Sequence, residues 1–354
     1  GDAFLRTFTS SAMSGADPEG NISLGGAEED KAVINVTGDN AIAVAGDFNL
    51  NKNAELNLKN AVLDLVKNMP TNADEAKDTS KLTRAEFKNL AGLINVDSST
   101  FNGNIALNGQ TAVNELITNG KTEEALAAAP KANFTGKNEV NGTITNTYGV
   151  INVADGASLT ADSITNDTMG FIDVAGRIES VVTNTNGQVS VKGSNAYIEQ
   201  LDGGDLEISA NTSSSKLFGD EAESKVNEAY VSAGNEFTLD NEKFSAENYV
   251  TYGKLALAQD VSGNAKIGNG GTIDLGSNTL TGNVAAWHNS TLAFNIDQTK
   301  DGDREQEGGK IAGDLKIHQN EGETLTIKPT IALGVESGTY DYANSVANGE
   351  TNDF

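Results

Sequence analysis

The tripeptide Ile144-Thr145-Asn146 returns as Ile164-Thr165-Asn166 and again as Val182-Thr183-Asn184, at spacings of 20 and 18 residues. Short alternating stretches keep the same beat: INV at 151–153, IDV at 172–174, VSV at 189–191 and EIS at 207–209. A period of about twenty residues, made of short strands and Gly/Asn/Asp turns, restricts such a chain to a solenoid. Each unit supplies one coil and can bury its apolar face only against its neighbours. The pattern selects a parallel β-helix over a leucine-rich horseshoe. Ile151, Asn152 and Val153, like Val189, Ser190 and Val191, alternate β-branched and polar residues, so that one set points inward and the other outward. No LxxLxLxxN frame occurs. Asn and Gly at the corners (Asn146, Gly149, Asn184, Asn186, Gly187) are expected to supply positive φ where the chain turns.

The same grammar runs through 32–58, 265–296 and 309–333, so the expectation is one elongated all-β body over residues 1–354. Two stretches depart from it. Residues 71–92 are charged and helical in pattern: Thr83 and Glu86 form a capping box, Leu82 and Phe87 the adjoining hydrophobic staple, and Gly92 a stop. Residues 111–130 carry a second helical pattern that ends before Pro130. A lesser excursion is expected over 219–237. Insertions of this kind leave a solenoid as loops on one side. They either cover an apolar seam or offer a partner-binding or lateral-assembly surface, for which Leu90, Leu93, Leu116, Ile117 and Leu126 are the residues in question.

Charge excludes one class of partner. Lys and Arg total 24 against 50 Asp and Glu, a formal charge of -26, and such a surface repels nucleic acid. The chain has no cysteine, which removes disulfides, thiolate zinc sites and cysteine nucleophiles together. No apolar run reaches the length of a membrane helix, and the opening GDAFLRTFTS carries no charged-then-apolar leader.

Candidate chemistry is sparse. The two histidines, His288 in AAWHNST and His318 in LKIHQN, are expected to be ordinary surface residues, His318 pointing outward from its strand, and no Gly-x-Ser-x-Gly elbow accompanies them. In DGDREQE (301–307) the residues Asp301, Asp303 and Glu305 alternate like the first ligands of a calcium loop. The glycine at the sixth position and the terminal Glu in register are missing, so a solvated loop is the plainer reading. The calcium nonapeptide GGxGxDxUx is absent, and GNGGTIDLG precedes a strand, not the helix a phosphate loop requires. No catalytic, cofactor-binding or metal residue is assigned, and no cofactor is expected.

The run GTITNTYGVINVADGASLTADSITNDTMGFIDVAG resembles the passenger region of type V autotransporters of Gram-negative bacteria. So do STLAFNIDQTKDGDREQEGGKIAGDLKI and TLTIKPTIALGVESGTYDYANSVANGETNDF, the latter similar to the part just ahead of the C-terminal cap. The resemblance covers about residues 130–354, and 1–60 only loosely. It implies a right-handed β-helix, an ectodomain segment that ends before the cap and membrane barrel, and no membrane insertion of the segment itself. It also implies a surface-bound or released protein, not an enzyme, acting as an adhesin or self-association stalk. Its partner would then be a host or bacterial surface protein or glycan, or a second copy. The Gly-Asp-Ser-Gly context of protease passengers is absent. A cysteine-free chain suits such a route, since a premature disulfide would obstruct passage through a narrow pore. Two alternatives stay open: a structural subunit of a surface layer or filament, and a β-helical carbohydrate-active enzyme. Paired acids in a groove lined by aromatics would mark the last of these.

Overall fold

The computed structural model of the chain describes residues 4–5, 22–25, 31–44, 47–67, 84–300, 305–318, 320 and 322–348. Strands account for 60% of the chain and helices for 7%, and the strands pair in large parallel sheets, so the fold is an all-β parallel β-helix solenoid. Contacts divide it into two compact units, Gly1–Val189 with Tyr197–Glu199, and Ser190–Ala196 with Gln200–Phe354.

In the first unit the sequence repeat is the pairing register. Ile144, Thr145 and Asn146 lie opposite Ile164, Thr165 and Asn166, which in turn lie opposite Val182, Thr183 and Asn184. Parallel in-register pairing stacks like on like, and β-branched side chains suit a surface buried on its inner face. One inward column runs Leu56, Ile94, Ala132, Ile151, Ile172, a second Leu58, Val96, Phe134, Val153, Val174. Every member is at most 1% exposed. The polar residue between these columns forms a ladder of its own. Asn57 donates its side-chain amide to Asn35, Asn95 to Asn57, Asn133 to Asn95 and Asn152 to Asn133, at 2.7–2.9 Å.

The corner asparagines have a different purpose from the one expected. None of the expected corner residues Asn146, Gly149, Asn184, Asn186 and Gly187 has positive φ, nor has Asn166; in these corners that conformation falls on Tyr148 and Met169. Asn146, Asn166 and Asn184 are fully buried, with Asn146 donating to Asn166 at 2.8 Å and Asn166 to Asn184 at 3.0 Å. A buried corner leaves main-chain carbonyls to be satisfied, and the primary amides do it: Asn146 also donates to the Phe171 carbonyl and Asn166 to that of Gly170. Gly149 is glycine for proximity, since a Cβ there would stand 2.4 Å from Asn146 Oδ1 and 2.7 Å from Leu107 Cβ.

Residues 110–128 contain two helices, α1 (Gln110–Thr118) and α2 (Thr122–Ala128), separated at Gly120, whose φ is +71°. Val113, Ala125 and Ala129 pack with Val150 of the coil, flanked by Leu116, Ile117, Tyr148 and Phe171. The helical reading of 71–92 fails over its described part. Residues 71–83, including Leu82 and Thr83, lie outside the described residues. Glu86–Asn89 is a strand that pairs with Asp47–Leu50 and Asn104–Asn108. Phe87 is a core residue, 1% exposed and stacked on Phe48 at 4.8 Å. Two flanking strands and an aromatic partner outweigh a local capping pattern.

In the second unit the central inward column is Leu206, Ala229, Tyr249, Ala265, Val284, Leu315. Tyr249 is 1% exposed, and it fits because alanines occupy the rungs on either side. Its hydroxyl accepts from the Ala246 N–H at 3.2 Å, which satisfies the one polar atom the ring brings inside. A parallel column, Phe237, Leu255, Ile273, Leu292, fills the other sheet. The excursion expected over 219–237 is not one. The single helical turn, Ser214–Leu217, precedes it, and Ser224–Val231 and Glu236–Leu239 are regular rungs. No helix among the described residues is long and apolar enough to cross a membrane.

Candidate functional site

Three consecutive rungs of the second unit, Ser224–Val231, Phe244–Thr251 and Asn264–Ile267, build an open groove of about 410 Å³ on their outer face. Alternation sends Ala229, Tyr249 and Ala265 inward, and therefore sends their neighbours out. One outward column is Asp205, Glu228, Asn248, Asn264, each opposite the next. The next outward column is Glu207, Tyr230, Val250, Lys266. Val250 is the small residue between two long ones, and the dip it leaves is the floor of the groove. Tyr252, just past its rung, forms a wall, with its ring 5.5 Å from that of Tyr230 and tilted by 40°. Lys266 extends its ammonium over Trp287, 4.9 Å from the ring centre.

The carboxylates of this face sit in different environments. Burial pushes Asp205 above the usual range, and burial together with the charge of Asp205 does the same to Glu228, partly offset by Lys266. Directly opposed like charges on neighbouring strands are unfavourable, so this pair resists full ionisation. Glu207 goes the other way. Burial raises it, but hydrogen bonds from Ser190, Ser209 and Ser232 and the charge of Lys192 hold it below the usual range. Tyr230 is raised by burial and by the neighbouring Tyr252, Glu207 and Glu228, which keeps its phenol protonated as a donor at neutral pH.

The histidines flank this region without forming a nucleophile–base pair. His318 is 8% exposed, covered by Trp287, whose ring stacks on it at 4.2 Å and 6°. It is thus a packed residue and not the open surface histidine expected, because Trp287 sits directly opposite it in the ladder. His288, at φ +28°, contacts the Glu323 carboxylate and lies 3.3 Å from the side-chain nitrogen of Asn320. Glu323 is lowered by the Asn320 N–H and then by His288. Residues 301–304, with Asp301 and Asp303, lie outside the described residues. Among the described residues no group of three or more His, Asp and Glu side chains gathers as a metal would need.

The five apolar residues flagged around the helical stretches separate in space. Leu116 and Ile117 pack under the helices, while Leu126 stays 37% exposed beside them. Met169, Tyr148 and Phe171 complete a small apolar depression with Ile117 and Leu126. Leu90 is half-buried at the turn after its strand, and Leu93 lines a shallow hollow with Ala127 and Ala129. The groove residues Glu228, Tyr230, Asn248, Tyr252, Asn264 and Lys266 escape sequence reasoning altogether. The only signal is the ladder register, and the spacing from 228 to 248 to 264 is too uneven to yield it. Compared with known proteins, the chain matches no family model, no curated protein and no solved structure.

Proposed function

We propose that the chain is the passenger region of a type V autotransporter, displayed on or released from a Gram-negative cell surface, and that it acts by binding and not by catalysis. It would act as an adhesin or a self-association stalk. The observation that supports this reading is the groove itself: an open trough that combines aromatic faces, primary amides, one carboxylate and one ammonium on paired parallel rungs. Such a set offers recognition, while the histidines beside it are engaged by Trp287 and Glu323.

The test uses the purified chain in two measurements. Labelled protein added to epithelial cells and to bacteria reads saturable binding, and sedimentation over a wide concentration range reads self-association. Saturable binding, or reversible growth into larger species, is the expected result. A monomer at every concentration with no saturable cell binding would remove the reading.

A second reading is favoured by the opposed pair Asp205 and Glu228, whose raised carboxyls lie beside an aromatic groove. Glycoside cleavage needs two carboxyl groups, one as acid and the other as base or nucleophile, and a raised carboxyl suits the acid. Release of new reducing ends from an oligosaccharide by the wild-type chain, absent in Glu228→Gln, would move the protein into that class.

A further inference from the structure

From the chemistry of the groove in the second unit we infer that it is a binding site for a neutral carbohydrate chain. This inference rests on the reading of the protein as a binder and names the ligand class of that site.

Each wall excludes one kind of ligand. An anionic chain meets Glu228, with Asp205 directly opposite it on the preceding rung and Glu207 on the column beside. It also meets the long-range field of a chain with formal charge -26. A cationic ligand, which paired tyrosines and a carboxylate would otherwise suit, meets a like charge in the groove wall, Lys266, whose ammonium lies over the neighbouring Trp287 ring. A peptide that adds a strand needs a free sheet edge. The three rungs of the groove have none, since Ser224–Val231 pairs with Asp205–Ile208 and Phe244–Thr251, and Asn264–Ile267 pairs with Phe244–Thr251 and Val284–Trp287.

What remains is an uncharged ligand with apolar faces and many hydroxyls. A pyranose ring has both. Its C–H face packs on a tyrosine ring, for which Tyr230 and Tyr252 stand 5.5 Å apart. Its vicinal hydroxyls need groups that donate and accept side by side. Asn248 and Asn264 provide primary amides in register on neighbouring rungs, next to Glu228 as an acceptor and Lys266 as a donor. From Glu228 to Asn264 is two rungs, about 10 Å at the parallel-sheet spacing. That length and the volume of about 410 Å³ suit about two sugar rings of a longer chain, which leaves through the open ends.

The affinity of such a site is modest, with a Kd no tighter than about 10 µM for two sugar rings, given the usual ceiling per ligand atom. Calorimetric titration of the full chain with cellohexaose, maltohexaose, chitohexaose and, as a charged control, hexagalacturonate tests the assignment. At least one neutral hexasaccharide is expected to bind with a Kd between about 10 µM and about 1 mM, and hexagalacturonate at least about tenfold more weakly. Tyr230→Ala and Tyr252→Ala are each expected to weaken binding about tenfold or more, while Tyr252→Phe keeps the ring and retains it. Circular dichroism of each variant verifies that the β-helix is intact. The proposal is overturned if none of the three neutral chains binds, if the two alanine variants bind like wild type, or if the charged chain binds best. Cell binding that persists in Tyr252→Ala while no sugar binds would keep the adhesin reading and remove this one. New reducing ends during titration would do the opposite, keeping the sugar site and removing the non-enzymatic reading.

Discussion

Replacing Asn166 by alanine isolates what a buried amide contributes to a solenoid corner. Its Nδ2 donates to Asn184 Oδ1 and the Gly170 carbonyl, both at 3.0 Å, and to the Gln188 carbonyl at 3.3 Å, while its Oδ1 accepts from Asn146 at 2.8 Å. The site is 0% exposed, so water cannot replace the lost partners. At about 1 kcal/mol net for each of three well-formed bonds, plus the cost of leaving a buried carbonyl and amide unmatched, the loss comes to about 3–5 kcal/mol. Asn57→Ala is the internal control. It interrupts a ladder of the same geometry, donating to Asn35 and accepting from Asn95, but on the outer face where water takes over, so its loss is expected to stay below about 1 kcal/mol. Guanidinium unfolding followed by circular dichroism gives the midpoint. Hydrogen exchange at the Thr165 and Thr183 amides reports the local effect even if the two units unfold separately. The reasoning is refuted if Asn166→Ala costs less than about 1 kcal/mol, or no more than Asn57→Ala.

Phe87→Ala removes a ring that is 1% exposed and stacked on Phe48, and it is expected to lower the stability of the first unit by about 3–5 kcal/mol in the same unfolding assay. A surface helix would lose far less. Gly149→Ala drives a methyl to within 2.4 Å of Asn146 Oδ1 and 2.7 Å of Leu107 Cβ, both in the packed interior, and should cost about 1–3 kcal/mol on denaturant titration. Glu228→Gln is a pH experiment. The folded carboxyl is raised above its ordinary value of 4.5, so the folded state holds the proton more tightly than the unfolded one. The associated stability is present below that ordinary value and disappears as pH rises through the folded one. The variant should therefore match wild type near pH 4 and melt higher at pH 7, with Asp205 and Lys266 as the charged neighbours that set the size of the difference. Equal melting temperatures at both pH values would contradict the assigned direction.

The first unit was largely legible in advance because its repeat is regular. Where Ile-Thr-Asn recurs, the sequence repeat and the hydrogen-bonded register coincide, since in-register parallel stacking makes sequence similarity and spatial adjacency the same thing. The helices at 110–128 were legible too, through apolar spacing and the Pro130 stop. The strand at Glu86–Asn89 was not, because four residues are too short to show alternation against a nearby capping pattern. Of the corner asparagines, Asn146 and Asn184 are buried amides and Asn186 is exposed, and none supplies the positive φ expected of it. Turn propensity and burial of a primary amide select the same residue, and only the φ angles distinguish them. The groove was hidden for a different reason. Its residues come together through variable turns, so Tyr230 and Tyr252 meet from 22 positions apart whereas Asn248 and Asn264 meet from 16.

The outer asparagine ladder also bears on how such a chain can change over generations. Asn57 reaches Asn95 and Asn95 reaches Asn133 across 38 residues each, whereas Asn133 reaches Asn152 across 19, and the contact is the same in all three cases. The second of the long intervals contains both α1 and α2. The rungs are thus indifferent to how much chain is threaded between them at a corner, provided that each strand returns in phase. A duplication or loss of one whole turn preserves every neighbour, and a corner can acquire new sequence without any strand being rewritten. A deletion of one residue inside a strand, by contrast, exchanges the inner and outer faces at once. Heritable variation in this architecture is therefore expected to accumulate as gained or lost turns and as enlarged corners, with the strands changing only by substitution.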